Sequence, residues 1–269
     1  MNKKNQFVGK ILRLSMAEFI GTFVLVFAGC GACGIMTTKD LNNLITCHLI
    51  VSIAFGLAVM CMIYSVGHIS GAHLNPAVTL SFMINRNFPR KLVIPYILAQ
   101  CFGGISASLM LFLSFNPLSL SHPSHLPLDI GLTQPLNGGI LEGIIWEFVL
   151  TFILMFVITA TATDSRAVGQ MAGLAIGSTV CLLALFGGPI SGASLNPARS
   201  LGPALVLGQW NYFYIYVIGP ILGAIAGGYV YHLLCSDCEQ CMKRFPIWNE
   251  MEVTEGVKKV KKCLETIHL

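Results

Sequence analysis

Long apolar runs separated by short polar connections dominate the pattern of this chain. A helix needs about 20 residues to cross a hydrocarbon core of roughly 30 Å. Six runs are long enough, at about 12–36, 44–66, 92–115, 139–162, 168–187 and 211–234. The pattern therefore predicts an all-α membrane protein with six transmembrane helices, which places both chain termini on the same side of the membrane.

The composition agrees with a chain that lies mostly in lipid. Hydrophobic residues make up 55% of the sequence and charged residues only 10%, whereas a soluble domain carries roughly 25% charge. This balance argues against a soluble enzyme and against disorder, which requires low hydrophobicity and high net charge. The net charge of +4 does not indicate a nucleic-acid partner, because almost all basic residues are confined to clusters outside the apolar runs.

The basic clusters predict the orientation of the chain. Lysine and arginine concentrate in the N-terminal segment, in the connection 85–91, at Arg166 and in the C-terminal tail. The positive-inside rule assigns all four places to the cytoplasm, which agrees with an even number of spans. We therefore expect a cytoplasmic N-terminus at 1–11, a membrane domain at 12–234 and a cytoplasmic tail at 235–269, with the protein in the cell membrane.

Two shorter apolar segments, 67–84 and 188–206, remain between the predicted spans. Aligned at an offset of 121, GHISGAHLNPAV (67–78) and GPISGASLNPAR (188–199) agree at nine of twelve positions. Both segments are rich in Gly and Pro and too short to cross the membrane, and they lie in connections on opposite sides of it. We therefore expect each to enter the membrane only part of the way.

The first and fourth spans extend this repeat. AEFIGTFVLVF (17–27) aligns with WEFVLTFILMF (146–156), so the chain is a duplication with copies at about 12–115 and 139–234. Each copy contains three spans and one short segment, and an odd number of spans makes the two copies face opposite ways. Inverted repeats of this kind place binding sites near the midplane of the membrane.

Each short segment contains an Asn-Pro-Ala tripeptide, which is formed by Asn75, Pro76 and Ala77 in the first copy and by Asn196, Pro197 and Ala198 in the second. Asn is a strong N-cap, and Pro fits the first helical turn. Each tripeptide therefore predicts the start of a helix, preceded by Gly-containing extended chain. Such a helix rises only roughly 12–15 Å, so two that enter from opposite sides meet near the membrane centre, N-terminus to N-terminus.

This arrangement has chemical consequences for the centre of the membrane. Non-helical backbone is tolerated at that depth only inside protein or beside a water-filled cavity. Each helix N-terminus carries about half a positive charge, so two that point at one place disfavour a cation there. The side-chain amides of Asn75 and Asn196 can donate to a passing oxygen atom. The site thus favours neutral hydroxylic molecules over protons and metal cations.

These motifs carry a resemblance to a known family. The paired Asn-Pro-Ala motifs, their contexts SGAHLNPAVTL and SGASLNPARSLGPAL, and the six spans resemble the aquaporin, or major intrinsic protein, family over roughly residues 10–235. The run ATDSRAVGQMAGLAIGSTV (162–180) is most similar to the plant nodulin-26-like branch and its bacterial relatives. The resemblance implies the aquaporin fold and a homotetramer with one pore per protomer. It also implies passive transport without enzyme activity, metal or cofactor.

Arg199 is the only charged residue between the fifth and sixth spans, and it replaces Val78 of the first copy. An ionisable group at that depth indicates function. Because a guanidinium has fixed donors and stays charged, we expect it to bind solutes and repel cations at the outer mouth; an arginine that extends to the interface is the alternative. The resemblance implies that Phe55, Ala184 and Ala193 complete a selectivity filter around it.

The filter composition bears on the solute. Strict water channels of the family usually carry His at the position of Ala184, so the resemblance implies a wider mouth with an aromatic wall at Phe55. We therefore favour a pore for water and small neutral solutes such as glycerol, urea and undissociated metalloid acids. Ser200 and Ala204 resemble water channels, so a water-selective pore stays the alternative. An ion channel, a secondary transporter or a membrane enzyme is disfavoured, because no acidic ring, coupling-ion ligand or nucleophile–base pair is evident.

Three further polar residues, Glu18, Glu147 and Gln100, lie inside predicted spans. The repeat and the resemblance favour buried braces that accept hydrogen bonds from the backbone of the re-entrant segments, and a proton relay is the alternative. A carboxylate that accepts two or three N–H groups can stay ionised. His68 and His73 lie beside the first motif, where we expect them to hydrogen-bond or pH-gate the cytoplasmic vestibule; a metal site there is disfavoured.

A cluster of cysteines ends the membrane domain. Cys235, Cys238 and Cys241 follow His232. A metal site there would need a fourth well-placed ligand, so we favour membrane-interface thiols, which are candidates for lipidation.

Overall fold

The computed structural model describes residues 3–38, 44–85, 88–120 and 130–235, which are mostly helical. The α-helices of this part of the chain are, in order, α1 (Lys3–Thr38), α2 (Leu44–Ser70), α3 (Pro76–Ile84), α4 (Arg90–Leu120), α5 (Ile140–Ile158), α6 (Ala172–Ser191), α7 (Pro197–Leu207) and α8 (Ile215–Leu234). A π-helical turn, Thr159–Thr163, extends α5. Among the described residues, six helices are long and apolar enough to span a membrane. The predicted six-span all-α membrane fold is confirmed.

The helix ends differ from the predicted spans. The first helix begins at Lys3 rather than near residue 12. Most of the expected N-terminal segment 1–11 is therefore the first part of α1. Lysine has a high helix propensity, and a helix does not have to end where its apolar residues end. At the other end of the chain, residues 236–269 lie outside the described residues, and with them Cys238 and Cys241.

The two short segments contain the helices α3 and α7, each of which begins at the proline of its motif. The chain before each motif is not extended as predicted. Instead α2 continues to Ser70, and a turn follows in which Gly71, Ala72 and Leu74 have φ of 90°, 46° and 52°. The equivalent turn before α7 has φ of 87°, 40° and 58° at Gly192, Ala193 and Leu195.

The left-handed residues have a physical reason. In each turn the backbone N–H groups of the two residues before the asparagine point to the same side, where one buried carboxylate accepts both. For a residue other than glycine the left-handed conformation costs about 1–2 kcal/mol, and two such residues lie in each turn. The surrounding structure therefore has to hold both turns in place.

Close helix packing depends on glycines at equivalent positions of the two copies. Gly56 and Gly177, which are 121 residues apart, face each other where α2 crosses α6. A Cβ atom at either would lie 2.6 or 2.7 Å from the carbonyl oxygen of the other. The approximate two-fold axis of the repeat therefore passes close to this crossing.

The glycine row of α8 lies against α5. Added Cβ atoms at Gly223 and Gly227 would collide with the carbonyl oxygens of Phe148 and Phe152, and one at Gly219 would lie 2.7 Å from Cβ of Glu147. This is the close approach that small residues permit in membrane helices.

Replacement of Gly223 by alanine should destabilise the protein. The new methyl group would meet a backbone oxygen that cannot rotate away, and overpacking of this kind costs about 1–3 kcal/mol. Gly9→Ala is the matched control, because nothing lies within 4 Å of the added atom there. The thermal unfolding midpoint in detergent should fall for Gly223→Ala and not for Gly9→Ala. A Gly223→Ala midpoint equal to that of the wild type would show that α8 does not need this glycine to pack against α5.

Candidate functional site

The two half-helices begin face to face, and each asparagine caps its own helix. Oδ1 of Asn75 accepts a hydrogen bond from the backbone N–H of Ala77 at 2.8 Å. Oδ1 of Asn196 accepts from the N–H groups of Ala198 at 3.0 Å and Arg199 at 3.3 Å. Both N-caps satisfy amide groups that have no partner within the helix.

The same two asparagines join the copies to each other. Nδ2 of Asn75 donates to the carbonyl oxygen of Leu195 at 2.7 Å, and Nδ2 of Asn196 donates to that of Leu74 at 2.8 Å. Each side-chain amide therefore links its own helix to the turn of the other copy. An NH₂ group has two hydrogens, so one N–H of each asparagine is left to face a solute, and both asparagines line a cavity.

The first turn is held by Glu18, which is fully buried. Its carboxylate accepts hydrogen bonds from the Ser70 hydroxyl at 2.7 Å and from the backbone N–H groups of His73 at 2.9 Å and Leu74 at 2.7 Å. The side-chain amide of Gln100 donates a fourth at 2.8 Å. The inward-pointing donors of the turn thus have a common acceptor.

Glu147 holds the second turn in the same way. Its carboxylate accepts from the Ser191 hydroxyl and from the N–H groups of Ser194 and Leu195, each at 2.8 Å. Where Glu18 has the Gln100 amide, Glu147 instead has the positive charge of Arg199 nearby. Both acids therefore act on the geometry of the turns through hydrogen bonds at the same positions of the repeat.

Two tyrosines that sequence reasoning missed complete the braces. The Tyr96 hydroxyl donates to the carbonyl oxygen of Ser70 at 2.8 Å, and the Tyr216 hydroxyl donates to that of Ser191 at 2.7 Å. Both side chains are buried, and both anchor the last residue of a spanning helix before its turn. The matched positions of Tyr96 and Tyr216 in the two copies were the signal that could have indicated them.

A cavity of about 100 Å³ runs along the two turns and their asparagines. Roughly 10–15 Å³ of such volume holds one water molecule, so the cavity has room for several. Opposite the turns its wall is apolar and comes mainly from α2 and α6 at four-residue spacing. These residues pair across the repeat as Phe55 with Ile176, Val59 with Val180, and Ile63 with Ala184.

The four residues expected to form a filter, Phe55, Ala184, Ala193 and Arg199, all line this cavity. Cζ of Arg199 lies 4.8 Å from the centroid of the Phe55 ring, within the range of a cation–π contact. The Arg199 side chain is only 5% exposed, so it does not extend to the interface. Arg199 is therefore a buried part of the cavity wall.

The connection before α5 supplies another contact that sequence reasoning missed. The carbonyl oxygen of Gly131 accepts a hydrogen bond from Nη1 of Arg199. Two residues later, the Thr133 hydroxyl donates to Ser200 at 2.8 Å, and Ser200 lies 2.6 Å from the hydroxyl of Ser194. No motif marks these residues, because their partners are more than sixty residues away in the chain.

The two histidines have different environments. His73 lines the cavity, and its ring packs against Phe88 and Tyr96 at centroid distances of 4.6 and 5.3 Å. His68 is exposed and is not among the residues that line the cavity, so its place at a cytoplasmic vestibule stays a prediction. Within the described part of the chain, no cluster of three His, Cys, Asp or Glu side chains could hold a metal ion.

The first cysteine of the terminal run contacts the connection after α5. Asp164 accepts hydrogen bonds from Nη2 of Arg166 at 2.7 Å and from the Tyr231 hydroxyl at 2.8 Å. The hydrogen bonds from Arg166 hold the pKa of the Asp164 carboxyl well below its usual range. Sγ of Cys235 lies 3.1 Å from Nη2 of Arg166. This cluster ties the end of α8 to the connection between α5 and α6.

Comparison with known proteins identifies the family. Residues 5–231 match the family described as Major intrinsic protein. The chain belongs to the major intrinsic protein family, the aquaporins. It is therefore a multi-pass membrane channel for water and small solutes, and not an enzyme.

Individual relatives agree with this assignment. The chain is 47% identical to Aquaporin NIP1-1 of Zea mays over 228 residues, which are 85% of this chain and 75% of that one. It is 45% identical to Nodulin-26 of Glycine max over 223 residues, or 83% and 78% of the two chains. The X-ray structure of the aquaglyceroporin from Plasmodium falciparum superposes with a TM-score of 0.73 at 27% identity, and the match covers 84% of this aquaporin and 98% of that chain. The resemblance to nodulin-26-like proteins and the aquaporin fold are thus confirmed.

Replacement of Glu147 by glutamine should destabilise this aquaporin. Glutamine keeps the shape but offers one acceptor oxygen and an NH₂ group, so at least one donor of the turn loses its partner. A buried donor without a partner costs about 1–3 kcal/mol. The matched control is Glu142→Gln, an exposed position in the first turn of the same helix. The thermal unfolding midpoint should fall only for Glu147→Gln, and an unchanged midpoint would show that the carboxylate does not hold the turn.

Proposed function

We propose that this channel passively conducts water and small neutral solutes, namely glycerol, urea and undissociated metalloid acids, and excludes ions and protons. The observation that carries the proposal is the small methyl group of Ala184 in the wall of the cavity that the Phe55–Arg199 pair also lines. No covalent step and no cofactor enters this mechanism. The solute moves in single file down its own gradient.

The mouth of the cavity has two kinds of surface. The Phe55 ring is apolar, the guanidinium of Arg199 donates hydrogen bonds, and Ala184 adds only a methyl group to the wall of the same cavity. A small polyol can lie with its carbon edge on the ring and its hydroxyl groups toward the arginine. The similarity to a solved aquaglyceroporin adds support for glycerol among the solutes.

The interior of the cavity favours neutral molecules. On one side a solute meets polar groups of the turns and the N–H groups of Asn75 and Asn196. On the other side it meets the side chains of α2 and α6, which are apolar and cannot replace the hydration shell of an ion. The N-termini of α3 and α7 add positive potential at the middle of the path, a barrier to cations in channels of this kind.

A water-selective pore is the alternative, because Ser200 and Ala204 resemble water channels. Neither residue lines the cavity. Ser200 hydrogen-bonds to Thr133 and Ser194, and Ala204 is buried in the packing around α7. Both residues therefore belong to the packing around the cavity and do not set its width. The residues of the mouth, with alanine at position 184, favour the wider pore.

The surroundings of the channel belong to the same proposal. We place it in the cell membrane as a homotetramer with one pore per protomer, in line with its family. The distribution of basic residues supports cytoplasmic termini, with the channel domain at 12–234 and the tail at 235–269.

Stopped-flow light scattering of proteoliposomes tests the solute class. A sucrose gradient measures water permeability, and a glycerol gradient measures solute permeability in the same vesicles. We expect both to exceed those of protein-free liposomes. Water permeability with no glycerol permeability above the protein-free level would favour the water-selective alternative.

Replacement of Ala184 by histidine should reduce glycerol permeability several-fold and water permeability far less. The imidazole ring would narrow the mouth and replace an apolar wall with a polar one. Ala184→Ser is the matched control, since it adds polarity without a ring and should keep glycerol flux. An equal loss of both fluxes in Ala184→His would show that Ala184 is not part of the filter.

A further inference from the structure

We infer that Gly29 of α1 is a specificity-determining residue of this channel, because it provides the space that lets the Phe55 ring stand back from the mouth. The inference rests on the proposed function, since it concerns the width available to glycerol. Gly29 does not line the cavity itself. It acts on the solute through the position of the Phe55 ring.

The contact between the two residues is direct. A Cβ atom built on Gly29 would overlap Cε1, Cδ1 and Cζ of Phe55, which form one edge of the ring. Such an overlap involves a rigid ring rather than the end of a flexible chain. Any side chain at position 29 therefore forces the ring to move.

The direction of that movement is restricted. One face of the ring lies under the guanidinium of Arg199, and Arg199 is itself held by Gly131. The helix that carries Phe55 cannot withdraw, because the next residue, Gly56, already touches the backbone of Gly177 on α6. The open space beside the ring is the cavity, so the ring moves into the solute path.

The repeat gives an independent argument. At the offset of 129 that relates Glu18 to Glu147, Gly29 corresponds to Ile158, and at the offset of 121 Phe55 corresponds to Ile176. Both isoleucines line the cavity. The second copy therefore has an isoleucine at both positions, whereas the first copy combines a large ring with no side chain. The aromatic wall of the mouth depends on the glycine behind it.

Glycerol and water fluxes of Gly29→Ala test the inference in proteoliposomes that contain equal amounts of folded channel. Glycerol permeability should fall several-fold, because the displaced ring narrows the path of the larger solute, while water permeability changes far less. Gly31→Ala on the same helix is the matched control. Its added atom meets only the flexible end of Leu111 at 3.2 Å, so both of its fluxes should equal those of the wild type.

A second variant separates displacement of the ring from general damage. Combination of Gly29→Ala with Phe55→Leu removes the ring that the methyl group displaces, so glycerol flux should return toward or above the wild-type level. Glycerol flux that is unchanged in Gly29→Ala, an equal loss of both fluxes, or a double variant as impaired as the single one would overturn the inference. Wild-type glycerol flux no higher than that of protein-free liposomes would instead overturn the proposed function.

Discussion

The structure depends on one constraint, which is that two stretches of non-helical backbone lie at the depth of a membrane and need partners for their polar groups. Glu18 and Glu147 meet this constraint from behind the turns, where each accepts two backbone N–H groups and a serine hydroxyl. Asn75 and Asn196 meet it at the centre, where each amide joins one copy to the other. The N–H groups on the inner side of each turn thus have partners within the protein. The other side of each turn presents polar groups to the cavity.

The repeat explains which residues form the frame and which set the chemistry. Positions that are alike in both copies, such as Asn75 and Asn196 or Gly56 and Gly177, hold the two halves together. Three pairs that differ lie on the wall of the cavity, namely Val78 with Arg199, Ile63 with Ala184, and Ile176 with Phe55. A symmetric frame therefore supports an asymmetric cavity wall, in which a charge and an aromatic ring in one copy correspond to aliphatic side chains in the other.

The sequence predicted the spans and the two half-helices better than the turns before them and the contacts that hold those turns. The duplicated tripeptide indicated both half-helices, because asparagine followed by proline has a strong local preference for a helix start. The left-handed turns were not predicted, since nothing in Ala72 or Leu74 favours positive φ and the conformation is held by the distant Glu18. Gly131 and Gly29 were missed for the same reason, as each matters through a partner that is far away in the chain.

The most direct test of the central claim is a comparison of water flux and proton flux through the same vesicles. Proteoliposomes that contain a pH-sensitive dye are exposed first to an osmotic gradient and then to a pH gradient, with the membrane potential clamped by a potassium ionophore. If the paired half-helices and Arg199 separate neutral molecules from charges, water permeability rises with the amount of channel while proton flux stays at the level of protein-free liposomes. Proton flux that rises in proportion to the channel would contradict this mechanism.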